Sequence, residues 1–338
     1  MPITIFRKKY IRIFINYFLG PLLFCWVSYS IYNQLRKQPD LGLYWQNIRH
    51  SFGSVMIWNL FATFVLMFVN WSIETVKWKL CIRKIQDIGF VTAFKAVLSG
   101  VSFSVITPNR VGEYLGRVLY MNDGNRLKAI SLTITGSMSQ LIVTLTMGLC
   151  GLIILEPAII AKGLISAFWI HVIIYGTIGV LVVLTLFYFR LSWVIRWFDR
   201  LPFSRKYAWL LETLEDFNAT LLLQLLSLSA LRFLVFIIQY YLLFRLFDVT
   251  ISWGQTLWVV SVSFLVMAVI PTIALFTDLG LRGKVSLKLL SLFSANQLGI
   301  GLTFVSIWLI NLIIPALTGS LLILSIKKYF INKNGSST

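Results

Sequence analysis

The sequence predicts an all-α, polytopic integral membrane helical bundle of about eight transmembrane helices, with re-entrant or broken helices near 96–121 and 271–300. Three observations predict it. The chain is 58% hydrophobic and only 12% charged, with mean hydropathy +0.83, where a soluble domain carries about 25% charged residues. Apolar runs near the roughly 20 residues that a spanning helix needs recur along it. Most of its 30 Lys and Arg residues, which with 12 Asp and Glu give a net charge of +18, sit in clusters between those runs. The positive-inside rule and anionic headgroups account for that charge, so the expected partners are membrane lipids and no nucleic acid.

In chain order, the basic start Arg7, Lys8, Lys9 and Arg12 precedes a first span over about Ile13–Tyr32; no small-residue cleavage site follows, so it reads as an uncleaved helix. A second span covers about Phe52–Ile73 and is ended by Glu74 and the group Lys77, Lys79, Arg83 and Lys84. Ala96–Ile106 is apolar but too short to cross comfortably, and Ser99, Gly100, Ser102 and Ser104 make it small-sided. It predicts a short helix that enters the membrane, breaks at Thr107-Pro108 and continues as a charged half-helix closed by Gly124 and Asn125. Spans follow over Ala129–Leu155, terminated by Glu156-Pro157, and over about Ile165–Phe189. Residues 190–218 mix Trp193, Trp197 and Trp209 with Arg, Lys, Glu and Asp, and Leu210, Leu211, Leu214 and Phe217 fall at helical spacing, which predicts amphipathic interfacial helices within a linker over 190–228. This linker would join two halves, 1–189 and 229–338, of a single transmembrane domain covering 1–338. The second half holds spans over about Leu228–Phe247, Thr256–Phe276 and Leu302–Ile326, with a short apolar run at Val285–Ile300.

Charge orients these elements. The basic clusters belong on the cytoplasmic side, which puts both termini there in a multi-pass protein of the cytoplasmic (inner) membrane. Ala96–Met121 must then return to the side from which it enters, as a hairpin or as two short crossings. Whether Val285–Ile300 crosses is open. Non-helical backbone at membrane depth survives only under protein or water, so the broken element belongs inside the bundle.

The candidate site is Thr107-Pro108-Asn109-Arg110-Val111-Gly112-Glu113, with Arg117 one turn on. A hydroxyl N-cap before proline is a helix-start signal, and a helix start with free N–H groups suits an anion. Gly112 would let another backbone or a headgroup approach, and Glu113 and Arg117, four apart, share a face. One reading is a phosphate-binding half-helix in a cavity. The other is an interfacial loop with Arg110 and Arg117 snorkelling. Thr277-Asp278, with Gly280, Arg282 and Lys284 after Pro271, is a second stretch of this kind; an ordinary basic loop is its alternative.

Asn70, Gln140, Gln239 and Asn311 would cross-link helices or line a cavity. Arg232 would snorkel, and His171 beside Trp169 would be structural. Cys25, Cys81 and Cys150 have no pairing or ligand spacing, so packing is their expected role and no metal or cofactor is expected. No Walker-type loop, paired carboxylates, nucleophile elbow or His dyad is present, which argues against ATP hydrolysis and covalent catalysis.

At Pro108-x-Arg110-x-Gly112-Glu113-x-x-x-Arg117, joined to Leu279-Gly280-Leu281-Arg282, the chain resembles the transmembrane region of the lysylphosphatidylglycerol synthases, a flippase-like family of bacteria and archaea. Where the family usually has Gly-Leu-Gly-x-Arg-Glu, this chain has Asp278 at the first glycine and Gly283 at the glutamate. The resemblance implies about eight membrane helices and carries roles onto Arg110, Gly112, Glu113, Arg117 and Arg282. It also implies a stand-alone member, since the multi-domain members join a cytosolic aminoacyl transferase that the sequence given does not include.

These readings together predict a non-enzymatic flippase or transporter for a phospholipid or a polyprenyl-phosphate-linked lipid. Thr107, Asn109, Arg110, Gly112, Glu113, Arg117, Asp278 and Arg282 would contact the phosphate or headgroup. The alternatives are a membrane-embedded glycosyl- or aminoacyl-lipid transferase, or an accessory subunit of a separately encoded lipid-modifying transferase.

Overall fold

The computed structural model describes Tyr29 and residues 57–107, 110–189, 218–269 and 287–323. These are mostly helical and include no strand. Helix α1 is Ile57–Ile82, α2 Phe90–Ile106, α3 Gly112–Val118, α4 Arg126–Ala161, α5 Ala167–Phe189, α6 Ala219–Leu246 and α7 Trp253–Val269. Helix α8 runs Gln297–Ile323 and contains a π turn at Leu309–Ile313. Among the described residues five helices are long and apolar enough to cross a membrane, and α2 and α7 are shorter apolar helices. The protein is a polytopic helical membrane bundle. The first span apart from Tyr29, the 190–217 part of the linker, Thr277–Lys284 and the basic tail lie outside the described residues.

Small residues set the closest crossings, since helices in lipid associate through close packing. Gly148 and Gly151 of α4 meet α7: a Cβ on Gly148 would lie 2.5 Å from that of Leu265, and one on Gly151 2.8 Å from the Trp258 carbonyl. Gly319 of α8 packs on the Leu98 carbonyl of α2, and the Ser102 hydroxyl of α2 donates to the Ala316 carbonyl. Helices α1 and α6 run antiparallel, joined at one end by the Gln239 amide donating to the Thr63 carbonyl at 2.9 Å.

Two large apolar cores result, beside a small cluster of Ile142, Tyr188 and Leu222. One gathers α1, α2, the start of α4 and the end of α8 around Trp78, Val101 and Ile313. The other gathers the far part of α4 with α5, α6, α7 and the start of α8 around Phe244, Val260 and Ile300. On α6 the boundary falls between Leu225 of the first and Phe233 of the second.

Two boundaries differ from expectation. Glu74 does not end α1, which continues two turns to Ile82, so Glu74 and Lys77 are buried inside it. Pro157 does not end α4, which runs to Ala161; a single proline this close to a C-terminus breaks only the last turns of the ladder. The run Val285–Ile300 is not one helix. Its described part makes a helical turn over 287–290 and irregular backbone to Asn296, whose side-chain oxygen accepts from the Gly299 N–H at 2.8 Å and caps α8.

Candidate functional site

The site is built on the broken element. Helix α2 has 17 residues, about 25 Å at 1.5 Å per residue, which is less than the roughly 30 Å hydrocarbon core. From Ala96 to Val105 every residue except Phe103 is buried. Helix α3 folds back antiparallel along it. A Cβ on Gly116 would lie 2.4 Å from Gly100 Cα, and one on Gly112 2.2 Å from the Phe103 carbonyl oxygen. Both glycines are therefore needed by the hairpin itself. The closing end returns to the entering end: the Tyr120 hydroxyl is 3.1 Å from Ser99 Oγ, and Asn125 donates to the Ile85 carbonyl at 2.8 Å. Of the two routes open for Ala96–Met121, the structure takes the hairpin.

Helix α3 starts later than the proline signal indicated. Thr107 is extended and ends α2, its hydroxyl donating to the Phe103 carbonyl at 3.1 Å and accepting the Gly112 N–H at 2.7 Å. Arg110 has φ of 59°, a left-handed conformation that a helix cannot contain. Helical geometry is thereby delayed to Gly112, and the helix that follows has seven residues. Pro108 and Asn109 lie outside the described residues.

What the hairpin carries into the bundle is charge. Glu74 of α1 is the centre. Its Oε1 accepts from Arg117 Nη2 of α3 at 2.8 Å, and its Oε2 accepts from Arg232 Nη1 of α6 at 2.6 Å and lies 3.0 Å from Lys77 Nζ. Arg117 Nη2 also reaches Glu113 Oε1 at 3.2 Å. Arg232 Nε donates to Asn70 Oδ1 at 2.5 Å, and Lys77 reaches Ser229, whose hydroxyl is 2.7 Å from that of Ser139 on α4. Rings close the cluster: the Arg232 guanidinium lies 5.1 Å from the Trp71 ring centre and the Arg117 guanidinium 5.9 Å from that of Trp78. Cations over indole faces gain further stabilisation where water is excluded. Arg232 does not snorkel. It is buried, and its charge is answered by Glu74.

A cavity of about 750 Å³ opens beside this cluster, lined by residues of α1, the hairpin, α4, α6, α7 and α8. Among the described residues its charged lining is Glu74, Lys77, Arg110, Glu113 and Arg232: three cations against two carboxylates. Phe233, Phe236, Phe264, Met267 and Leu141 supply an apolar wall. Such a cavity can hold an anion at one part and a hydrocarbon chain at another.

Of the residues predicted for the site, Arg110 and Glu113 line the cavity. Arg117 does not; it is spent on the two glutamates. Thr107 and Gly112 shape the turn. Asn109, Asp278 and Arg282 lie outside the described residues. Sequence reasoning missed Glu74, Lys77 and Arg232 as site residues. Their signal was present: Asn70, Glu74 and Lys77 recur at helical spacing, as do Ser229, Arg232 and Gln239 on the facing helix. Gln239 cross-links helices, while Gln140 and Asn311 line the cavity. His171 pairs with Glu156 at 3.0 Å at the far end of α4.

A family model described as the lysylphosphatidylglycerol synthase TM region matches residues 41–319, which takes in the hairpin and the buried cluster. No curated protein matches the chain.

Proposed function

This chain belongs to the lysylphosphatidylglycerol synthase TM-region family, and on that premise we propose that it binds a phospholipid or polyprenyl-phosphate-linked lipid in the cavity beside Glu74 and translocates it across the cytoplasmic membrane. Family membership ties the chain to membrane lipids; transport is the further step.

The observation that carries the reading is a surplus of positive charge and an apolar wall in one cavity. Ionisable groups at membrane depth face a cavity, pair with one another and mark pathways. Here Glu74 fixes two of the cavity's cations, so they meet an incoming phosphate already oriented. Arginine suits this role because its fork holds one partner while presenting further N–H groups. Phe233, Phe236 and Phe264 offer the chains an unbroken apolar surface. The hairpin returns Asn125 to Ile85, beside Lys79, Arg83 and Lys84, which supports placing that end of the bundle in the cytoplasm.

Purified protein in vesicles carrying a labelled phosphate-headed lipid tests this. Translocation faster than in protein-free vesicles is expected, and Arg110→Gly and Arg232→Gln should each slow it roughly tenfold, the loss of one charge-assisted contact. Variants that move lipid at the parent rate would remove the assignment, and a product of altered mass would indicate a transferase instead.

A further inference from the structure

Lys77 is 2% exposed yet lines the cavity, and among the described residues it is the only lysine of the buried cluster. On its own helix α1, Glu74 Oε2 lies 3.0 Å from its Nζ. From α6, Arg232 reaches the same carboxylate, and Ser229 Oγ is 3.4 Å from the Lys77 Nζ. From α3, Arg117 pairs with Glu74 and Glu113 together. From α4, Ser139 meets Ser229 and donates on to the Gly136 carbonyl at 2.6 Å. The Tyr188 hydroxyl of α5 stands beyond Ser139 and donates to the Leu222 carbonyl at 2.9 Å, and Cys81, one turn on along α1, is a buried thiol. Among the described residues α7 and α8 bring no titratable side chain.

Among the described residues this cluster sets three cations, Lys77, Arg117 and Arg232, against two carboxylates, Glu74 and Glu113. A buried charge left without a partner is costly. Arginine keeps its proton in proteins, whereas a buried lysine amine can release one. The surroundings of Nζ suit both forms. As an ammonium it donates to Glu74 and Ser229; as a neutral amine it can accept from the Ser229 hydroxyl, which both donates and accepts.

We propose that Lys77 gains a proton when the cavity takes up a phosphate lipid and loses it when the lipid leaves, so that lipid and proton are carried together. This rests on the reading of the cavity as a phosphate-lipid site. The phosphate supplies the negative charge that the cluster lacks, and the ammonium form is then balanced. The proton comes from water in the cavity, bonds to the Nζ lone pair, and returns to water on the side where the phosphate leaves. A singly charged phosphate and its proton together carry no net charge, and a proton gradient can therefore drive the lipid.

Proton uptake on lipid binding tests this. The purified full chain, in weakly buffered detergent solution with a pH indicator, receives phosphatidylmethanol or diacylglycerol of identical chains, and bound lipid is measured in parallel. Phosphatidylmethanol is a phosphodiester whose single charge does not titrate near neutral pH. With it the parent should take up as much as about one proton per bound lipid, and with diacylglycerol none. Raising the pH removes the proton from the empty site first, so phosphatidylmethanol affinity should fall by up to roughly tenfold per pH unit. Lys77→Arg should take up no proton and lose this pH dependence, while Cys81→Ala should keep both. A parent that binds phosphatidylmethanol without proton uptake at any pH where it stays folded overturns the coupling, whether or not Lys77→Arg folds. Uptake that survives Lys77→Arg, or that is lost with Cys81→Ala, overturns the assignment to Lys77. A parent that does not bind phosphatidylmethanol removes the phosphate-lipid reading, and the coupling with it.

Discussion

At the scale of single residues, Glu74 is held by three cations from three directions, and all four side chains are buried. Desolvating such charges is unfavourable, and their mutual attraction offsets this only while the set is complete. Removing Glu74 would leave Lys77, Arg117 and Arg232 facing Glu113 alone. Glu74→Ala should therefore lower stability by about 3–5 kcal/mol, read as a fall in melting temperature of the detergent-solubilised protein. The exposed pair Arg126–Asp123, 2.8 Å apart, makes the contrast: Asp123→Ala should change stability by less than about 1 kcal/mol. Equal effects from the two would show that the buried cluster is not the tighter one. The cluster was only half legible in sequence. Glu113 and Arg117 announced themselves by spacing beside glycines and a proline. Glu74 sat where an apolar run gives way to a basic group, which reads as a span ending, and Arg232 lay near a helix start, where snorkelling is the usual outcome. Their partnership spans 158 positions and exists only once α1 and α6 pack.

At the scale of elements, the α2–α3 hairpin depends on backbone contact at Gly100, Gly112 and Gly116. A methyl group on Gly116 would meet Gly100 backbone atoms, which cannot rotate aside. Gly116→Ala should thus part the two helices and destabilise by about 1–3 kcal/mol. Gly176 on α5 has open space around its Cβ position, so Gly176→Ala should leave the melting temperature unchanged or raise it, since alanine favours the helix by about 0.5–1 kcal/mol. A melting curve for each variant checks both, and an undisturbed Gly116→Ala protein would remove the close-packed hairpin. The existence of this element could be read from Ala96–Ile106 being too short to cross and from the charge balance on either side. Its turn could not. Thr107 and Pro108 signal a helix start, but the left-handed backbone at Arg110 postpones it, and nothing in an arginine marks that conformation.

At the scale of the whole molecule, two apolar cores flank a cavity whose lining is cationic at one part and aromatic at another. The membrane bundle itself was plain from composition, because no soluble domain is so poor in charge. The cavity was not, since it needs residues from six elements. If its cations hold a lipid phosphate, Arg110 is the one that can be removed alone. Arg110 lines the cavity with φ of 59°, a conformation glycine adopts freely, so Arg110→Gly removes the charge while keeping the turn. The measurement is binding of phosphatidic acid against diacylglycerol of identical chains, for the parent and for Arg110→Gly. The parent should prefer phosphatidic acid, and the variant should lose roughly tenfold of that preference with diacylglycerol binding unchanged. An identical preference in the two proteins would mean that Arg110 does not hold the phosphate.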